Sequence, residues 1–133
     1  MFLFNFHDNM EKNKAQNLSP IVLAFVGDAV YSLFVRKKLT FLSDFKSGEL
    51  NKLAVKEVCA SSQASFVMDI MDQLTEEELM IFKRARNTKK TTRSKSASVS
   101  DYNASTGFEA VLGYLYLIGD LDRINILLNK GKI

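Results

Sequence analysis

Two carboxylates, Asp28 and Glu109, are isolated within long apolar stretches of this 133-residue chain. Asp28 is the only charged residue between Ile21 and Val35, and Glu109 is the only one between Ala104 and Ile118. Burying an unpaired carboxylate is costly, so each must be protonated, paired with a cation, or exposed in a cleft that binds one. Because neither stretch contains a basic side chain, the pattern indicates a shared divalent cation, and oxygen ligands favour Mg²⁺ or Mn²⁺.

Small residues flank both acids, with Gly27 beside Asp28 and with Gly107 and Gly113 around Glu109. Glycine inside a helix costs about 1 kcal/mol relative to alanine, so it usually has a structural reason. We expect these glycines to let two helix backbones approach and bring the carboxylates together. The pattern leaves open that one of the acids is only a helix cap or a half-exposed residue.

The stretches around both acids are predicted to be helices. Ser19-Pro20 is a helix start, and apolar residues then cover nearly the whole circumference to about Leu39, as in a buried central helix. A second apolar helix is predicted over about 105–118. Other helices are predicted from Ser47, over 64–74, from a capping box at Thr75 and from Asp120. No stretch alternates at period two, so we predict one all-α domain over residues 1–133.

A basic segment between Lys83 and Lys95 carries seven positive charges and no acid, in a chain whose net charge is only +3. Such a segment favours a polyanionic partner, and its Ser, Thr and Asn side chains can also donate to phosphates. The segment lacks an apolar face, which favours nucleic acid over a membrane surface, while plain solvation stays open. Residues 87–103 are predicted to form a flexible basic loop within the domain.

Several classes of chemistry are disfavoured by residue counts. A single cysteine, Cys59, excludes an internal disulfide framework and a four-cysteine zinc site. A single histidine, His7, in a terminal stretch argues against Ser-His-Asp and Cys-His catalysis. The longest apolar run is too short and too polar to span a bilayer, and no signal peptide is apparent, so we expect a cytoplasmic protein.

Both acids lie in motifs that resemble those of the ribonuclease III family. Leu23 to Tyr31 (LAFVGDAVY) resembles the family signature, whose core reads L-G-D-A-V-L. Thr106 to Tyr116 (TGFEAVLGYLY) resembles the second acidic motif, F-E-A-x-x-G-x-x-Y. The order and the separation of about 80 residues agree with the family. The R-x-R-N at Arg84 to Asn87, with no double-stranded-RNA-binding domain expected after Tyr116, resembles the stand-alone Mini-ribonuclease III group.

This resemblance implies a homodimeric, helical ribonuclease III-like endonuclease domain. Asp28 and Glu109 would be the catalytic residues and would hold Mg²⁺, or Mn²⁺ as a substitute, directly or through water. The family cuts both strands of duplex RNA and leaves 5′-phosphates, which needs two sites and therefore a symmetric dimer. In the Mini-ribonuclease III group the substrate is precursor 23S ribosomal RNA, so the implied role is rRNA processing in ribosome biogenesis. A ribosomal protein as a further partner is left open.

The chain departs from full-length ribonuclease III enzymes at three acidic positions, one of which is Ser32, where the family signature often ends in an acid. Ala24 stands where they have a glutamate, and Thr106 stands where they have an aspartate. A metal held largely through water is the implied consequence, and Mg²⁺ tolerates this because it dehydrates reluctantly. The residues predicted to bind RNA are Arg84, Arg86, Asn87, Lys89, Lys90, Arg93 and Lys95. The first three are the primary candidates for phosphate contacts close to the site, and the four others are expected to be more mobile.

Two other functions stay open at this point. The loss of two family acids would suit a non-catalytic module that binds duplex RNA on the same scaffold. A helical interaction protein could instead use the basic loop to bind an acidic partner or a membrane. The salt dependence of RNA binding with and without Mg²⁺ would separate these alternatives.

Overall fold

The computed structural model describes residues 3–42, 44, 46–90 and 97–130 of the chain. Its helices are α1 (Lys12–Gln16), α2 (Pro20–Leu42), α3 (Ser47–Val58), α4 (Ala60–Ile70), α5 (Glu76–Asn87), α6 (Val99–Leu117) and α7 (Leu121–Lys130). A short 3₁₀ helix, Met71–Gln73, links α4 to α5. These described residues contain no strand, which confirms the predicted all-α class. None of their helices is long and apolar enough to cross a membrane.

Helix α6 is the centre of the fold and packs against α2, α4 and α5. Every residue from Ser105 to Leu115 is buried except Glu109, which is half-buried. The all-round apolar pattern of this stretch predicts such a helix. A partly exposed carboxylate in the middle of the most buried helix therefore marks the point where a cleft reaches the core.

Helix α6 begins six residues earlier than the sequence pattern predicts. The Ser98 hydroxyl accepts a hydrogen bond from the Asp101 amide at 3.0 Å and caps the helix, so that the polar residues before Ser105 are helical as well. The basic loop predicted over 87–103 is correspondingly shorter, because α5 includes Asn87 and α6 begins at Val99. Residues 91–96 of that loop lie outside the described part of the chain.

Helix α2 is not buried all round in the single chain, which corrects the prediction of a wholly buried helix. Its buried face comprises Leu23, Ala24, Gly27, Tyr31, Val35 and Leu39. Apolar residues on the rest of its surface are exposed to 39%, 45%, 79% and 60% at Ile21, Val22, Phe25 and Leu33. An apolar sequence pattern shows that a helix surface is hydrophobic, but it does not show what covers that surface. The prediction therefore could not separate the core-facing side of α2 from its exposed apolar side.

Helices α2 and α6 cross at a point where both carry glycine. A Cβ on Gly27 or on Gly113 would overlap a backbone carbonyl oxygen of the other helix. The prediction that glycines bring two backbones together is therefore confirmed for this pair. Gly107 has a different neighbour, since a Cβ there would meet the Phe82 ring of α5.

The remaining helices agree with the sequence pattern in kind and differ in their bounds. The Thr75–Glu78 capping box is confirmed, with both reciprocal hydrogen bonds present at the start of α5. Asp120 caps α7 as predicted, because its carboxylate accepts from the Arg123 amide at 3.1 Å. Helix α4 begins at Ala60 rather than near residue 64, and α3 has no side-chain cap at its start. Helix α1 was not predicted, because five residues carry too little periodicity.

Candidate active site

The two isolated carboxylates lie in one cleft between α2 and α6. The cleft has a volume of about 360 Å³ and is lined by Ile21, Ala24, Phe25, Asp28, Lys89, Lys90, Tyr102, Thr106 and Glu109. Asp28 is exposed and Glu109 is half-buried. The close crossing at Gly27, directly before Asp28, brings the two side chains together. The structure thus unites the two acids that the sequence singles out, although they are far apart along the chain.

The Glu109 carboxyl lies in an environment that disfavours its charge. Burial, followed by the charge of Asp28 and a hydrogen bond between the two carboxyls, raises the pKa of Glu109 from 4.5 to about 8. A hydrogen bond from Gln63 acts in the opposite direction. Two carboxyls this close either share a proton or share a cation. The pair can therefore exchange a proton for a bound cation near neutral pH.

Gln63 of α4 also contacts the carboxylate pair and was not predicted from the sequence. Its Nε2 donates to Glu109 Oε2 at 3.2 Å and to the Val58 carbonyl oxygen at 2.8 Å. Gln63 is only 2% exposed. One signal could have identified it, because it is polar yet lies at helical spacing with Val67 and Ile70 on the buried face of α4.

The carboxylate pair fits a hard divalent cation. Asp28 and Glu109 provide only oxygen ligands, which suits Mg²⁺ or Mn²⁺. Within the described ranges, no group of three or more His, Cys, Asp or Glu side chains could hold a metal. Ala24 and Thr106 line the same cleft without adding a carboxylate, and the Thr106 hydroxyl donates to the Tyr102 carbonyl oxygen at 2.9 Å. Water or substrate oxygens would therefore have to complete the coordination of such a cation, which Mg²⁺ tolerates because it dehydrates reluctantly.

The basic segment adjoins this cleft through Lys89 and Lys90. Lys89 is exposed. Lys90 Nζ donates to the carbonyl oxygens of Ala85 and Arg86, at 2.8 and 2.9 Å, and so closes the end of α5. Burial lowers the pKa of the Lys90 ammonium group. Of these two lysines, Lys89 is the one with its charge most available to a ligand in the cleft.

The other predicted RNA-binding residues occupy different surroundings. The Arg84 guanidinium donates to the carbonyl oxygens of Gln16 and Leu18, at 3.0 and 2.9 Å, and holds the connection between α1 and α2. Arg86 lies over the Phe82 ring, 5.6 Å from its centroid, and donates to the Asn87 side chain at 3.2 Å. Arg93 and Lys95 lie outside the described residues.

The chain is similar to a known protein family, to individual relatives and to a solved structure. A family model described as the ribonuclease III domain matches residues 21–120. A Mini-ribonuclease 3 of a Thermoanaerobacter species is 45% identical over 129 residues, which are 95% of this chain and 91% of that protein. A Mini-ribonuclease 3 of Clostridium tetani is 41% identical over 118 residues, which are 88% of this chain and 78% of that protein. The crystal structure of a Fusobacterium nucleatum protein matches with a TM-score of 0.78 at 33% identity, over 86% of this chain and 90% of that one.

Proposed function

The chain belongs to the ribonuclease III family, with Mini-ribonuclease 3 proteins among its relatives, and we propose that it cuts double-stranded RNA with Mg²⁺ as cofactor. As a member of this family it is an endoribonuclease. The observation that carries the proposal is the pairing of Asp28 and Glu109 in a cleft that also includes Lys89. A carboxylate pair beside an exposed ammonium group can hold a cation and a phosphodiester together.

In the proposed mechanism, Asp28 and Glu109 would hold the cation, and Gln63 orients the Glu109 carboxylate through Nε2. A bound divalent cation supplies Lewis-acid chemistry, since it activates water and neutralises charge that develops on the scissile phosphodiester. Lys89 is the side chain that binds an RNA phosphate at the mouth of the cleft. Because a metal binds the ionised form, Glu109 would have to release its proton to act as a ligand.

Capture of the duplex is assigned to the basic segment. A-form RNA presents phosphates and 2′-hydroxyls rather than readable major-groove edges, so charge and hydrogen-bond donors are the main requirement. Arg86 and Asn87 remain primary candidates for these contacts, and the exposed Lys89 in the cleft joins them, together with Arg93 and Lys95. Arg84 and Lys90 already donate to backbone carbonyls, so we assign them a smaller share of the RNA affinity.

A symmetric homodimer is part of the proposal. The exposed apolar stripe of α2, formed by Ile21, Val22, Phe25 and Leu33, supports it, because a monomer rarely leaves such a surface uncovered. Ile21 and Phe25 also line the cleft, so a partner seated on this stripe would lie next to the carboxylates. Two such sites would cut one strand each and leave 5′-phosphates.

The proposed natural substrate is the paired ends of precursor 23S ribosomal RNA. The similarity to Mini-ribonuclease 3 proteins supports this substrate. In this proposal the reaction takes place in the cytoplasm during ribosome biogenesis, where a ribosomal protein could present the RNA. Purified protein assayed on precursor RNA with and without ribosomal proteins tests this part of the proposal separately from cleavage itself.

The activity is tested by incubating the protein with a long RNA duplex and with single strands of the same sequence, in Mg²⁺ or in EDTA. We expect duplex-specific, Mg²⁺-dependent cleavage whose products are ligated without prior phosphorylation. Salt-sensitive binding of the duplex without cleavage would instead favour a non-catalytic binding module. The absence of acids at Ala24 and Thr106 makes that second candidate worth the comparison.

A further inference from the structure

We propose that Gln63 is a positioning residue, whose side-chain amide holds the Glu109 carboxylate in the orientation that binds the divalent cation. This inference rests on the proposed function of the cleft. It concerns a residue on α4, a helix that carries neither of the two acids. The Gln63 amide performs this role as a neutral hydrogen-bond donor and does not itself change charge.

The contacts of Gln63 define a bridge from the end of α3 to the acid on α6. Nε2 carries two hydrogens, and both have acceptors: the Val58 carbonyl oxygen at 2.8 Å and Glu109 Oε2 at 3.2 Å. Val58 is the last residue of α3, so its carbonyl has no partner within that helix. The amide therefore satisfies a helix end on one side and restricts the Glu109 side chain on the other.

This arrangement is costly as a purely structural device. Gln63 is 2% exposed, and its Oε1 has no hydrogen-bond partner among the described residues. A buried acceptor without a partner destabilises a fold. The other buried positions of α4 are apolar, namely Ala64, Val67 and Ile70. A methionine or leucine at position 63 would fill the same space without an orphaned oxygen, so the contact with Glu109 is the better explanation for the amide.

A site with two carboxylates depends strongly on the orientation of each. Ala24 and Thr106 line the cleft without offering further carboxylates. Glu109 therefore shares the binding of a cation with few other acidic side chains in the cleft. Groups that hydrogen-bond to a metal ligand fix its direction, and their removal typically costs about 10- to 100-fold in metal affinity or activity. Gln63 is the described side chain, apart from Asp28, that makes such a bond to Glu109.

The test compares Gln63→Met with Ser62→Ala in otherwise intact protein. Ser62 is the matched control, because its hydroxyl donates to the Lys56 carbonyl oxygen at 2.7 Å and so also joins α4 to the last turn of α3. Binding of Mn²⁺ is measured by electron paramagnetic resonance without RNA, and kcat and KM are measured on duplex RNA. Circular dichroism verifies folding, and Gln63→Leu is the second variant if methionine does not fit.

We expect Gln63→Met to bind Mn²⁺ about 10-fold or more weakly and to lower kcat by a similar factor, with KM changed less than about twofold. Ser62→Ala should match the wild type in both measurements. A folded Gln63→Met protein that binds Mn²⁺ and cuts like Ser62→Ala would overturn the inference alone, as would a defect confined to KM. A wild-type protein that neither cuts RNA nor binds Mn²⁺ would instead overturn the proposed function, and this inference with it.

Discussion

At the scale of single residues, the balance of charge at Glu109 decides what the cleft can hold. Burial and the neighbouring Asp28 raise the pKa of Glu109 to about 8, while Gln63 favours its ionised form. Without a cation, the folded protein therefore binds a proton at Glu109 that the unfolded chain releases above about pH 4.5. A cation that takes the place of this proton removes the penalty.

The metal-free protein should lose stability as the pH rises from about 4.5 to about 8, through the pKa shift of Glu109. Stability falls with rising pH because the folded state binds the Glu109 proton more tightly than the unfolded chain does. The stability contributed by this proton is complete at low pH and is lost as Glu109 ionises. Glu109→Gln removes this contribution. In EDTA, the Tm of Glu109→Gln relative to wild type should increase across this range by on the order of 10 °C. A Tm difference that does not vary with pH would contradict the assignment.

Removal of the Arg84 side chain should lower the stability of the fold, whereas removal of the Lys89 side chain should weaken RNA binding. Arg84→Ala loses two hydrogen bonds to backbone carbonyls and should destabilise the protein by about 1–3 kcal/mol, with a small effect on RNA binding. Lys89→Ala should leave stability unchanged and reduce the slope of log affinity for duplex RNA against log salt by about 1. Thermal unfolding and salt titrations of the same two variants provide the comparison. Equal salt slopes for Lys89→Ala and wild type would remove Lys89 from the RNA surface.

The sequence alone identifies the two acids but not the side chains that surround them in the fold. Asp28 and Glu109 stand out because each is the lone charge in an apolar stretch. The hydrogen bond from Gln63 to Glu109 joins residues 46 positions apart, so it depends on how α4 packs on α6. The role of Arg84 was obscured for the same reason, because its acceptors lie more than 60 positions away.

At the scale of helices, the crossing of α2 and α6 sets the separation of the carboxylates. Gly27 and Gly113 allow the two backbones to touch, and a side chain at either would meet backbone rather than a flexible group. Such a contact cannot be relieved by a rotamer change. The crossing therefore links stability directly to the geometry of the cleft.

Gly113→Ala should destabilise the protein by about 3 kcal/mol and lower activity further than its stability loss explains. Gly48→Ala is the matched control, because a Cβ at that exposed helical position would have no described atom within 4 Å beyond the adjacent residues and backbone of its own helix. That variant should be neutral or more stable by about 0.5–1 kcal/mol. Denaturant unfolding of both variants measures the difference. Similar stability for the two would mean that the helices are not in close contact at Gly113.

The sequence predicts the start of a helix correctly where a local capping interaction specifies it. The Thr75 capping box and the Asp120 cap act within three residues of themselves, and both are present. The start of α6 was predicted too late, because polar residues before Ser105 conceal a helix that only the Ser98 cap indicates. Bounds that depend on tertiary packing, such as the start of α4, could not be obtained from periodicity alone.

At the scale of the whole molecule, the chain presents an apolar stripe and a basic segment close to the same cleft. The stripe of α2 supports the proposed dimer, and the basic segment supports the proposed RNA surface. Both features were visible in the sequence, the first as apolar residues around nearly the whole circumference of α2 and the second as a cluster of positive charges. Only the structure shows that the apolar pattern is divided between the core and an exposed face.

Leu33→Glu should convert the proposed dimer to a monomer, because it places a charge on an apolar side chain that is 60% exposed in the single chain. Met68→Glu is the control, since Met68 on α4 is similarly exposed, at 65%, but lies outside the stripe. Light scattering coupled to gel filtration gives the mass of each variant. Dimers of equal stability for both variants would show that α2 is not the interface.

The most direct test of the central claim is a cleavage assay on a long RNA duplex, in Mg²⁺ and in EDTA, with the wild type, Asp28→Asn and Asp69→Asn. Asp69 is an exposed acid of α4 outside the cleft and serves as the control. We predict cleavage in Mg²⁺ by the wild type and Asp69→Asn, none in EDTA, and a loss of at least about 100-fold in Asp28→Asn with duplex binding retained. Cleavage by Asp28→Asn at the wild-type rate would show that the carboxylate pair is not the active site.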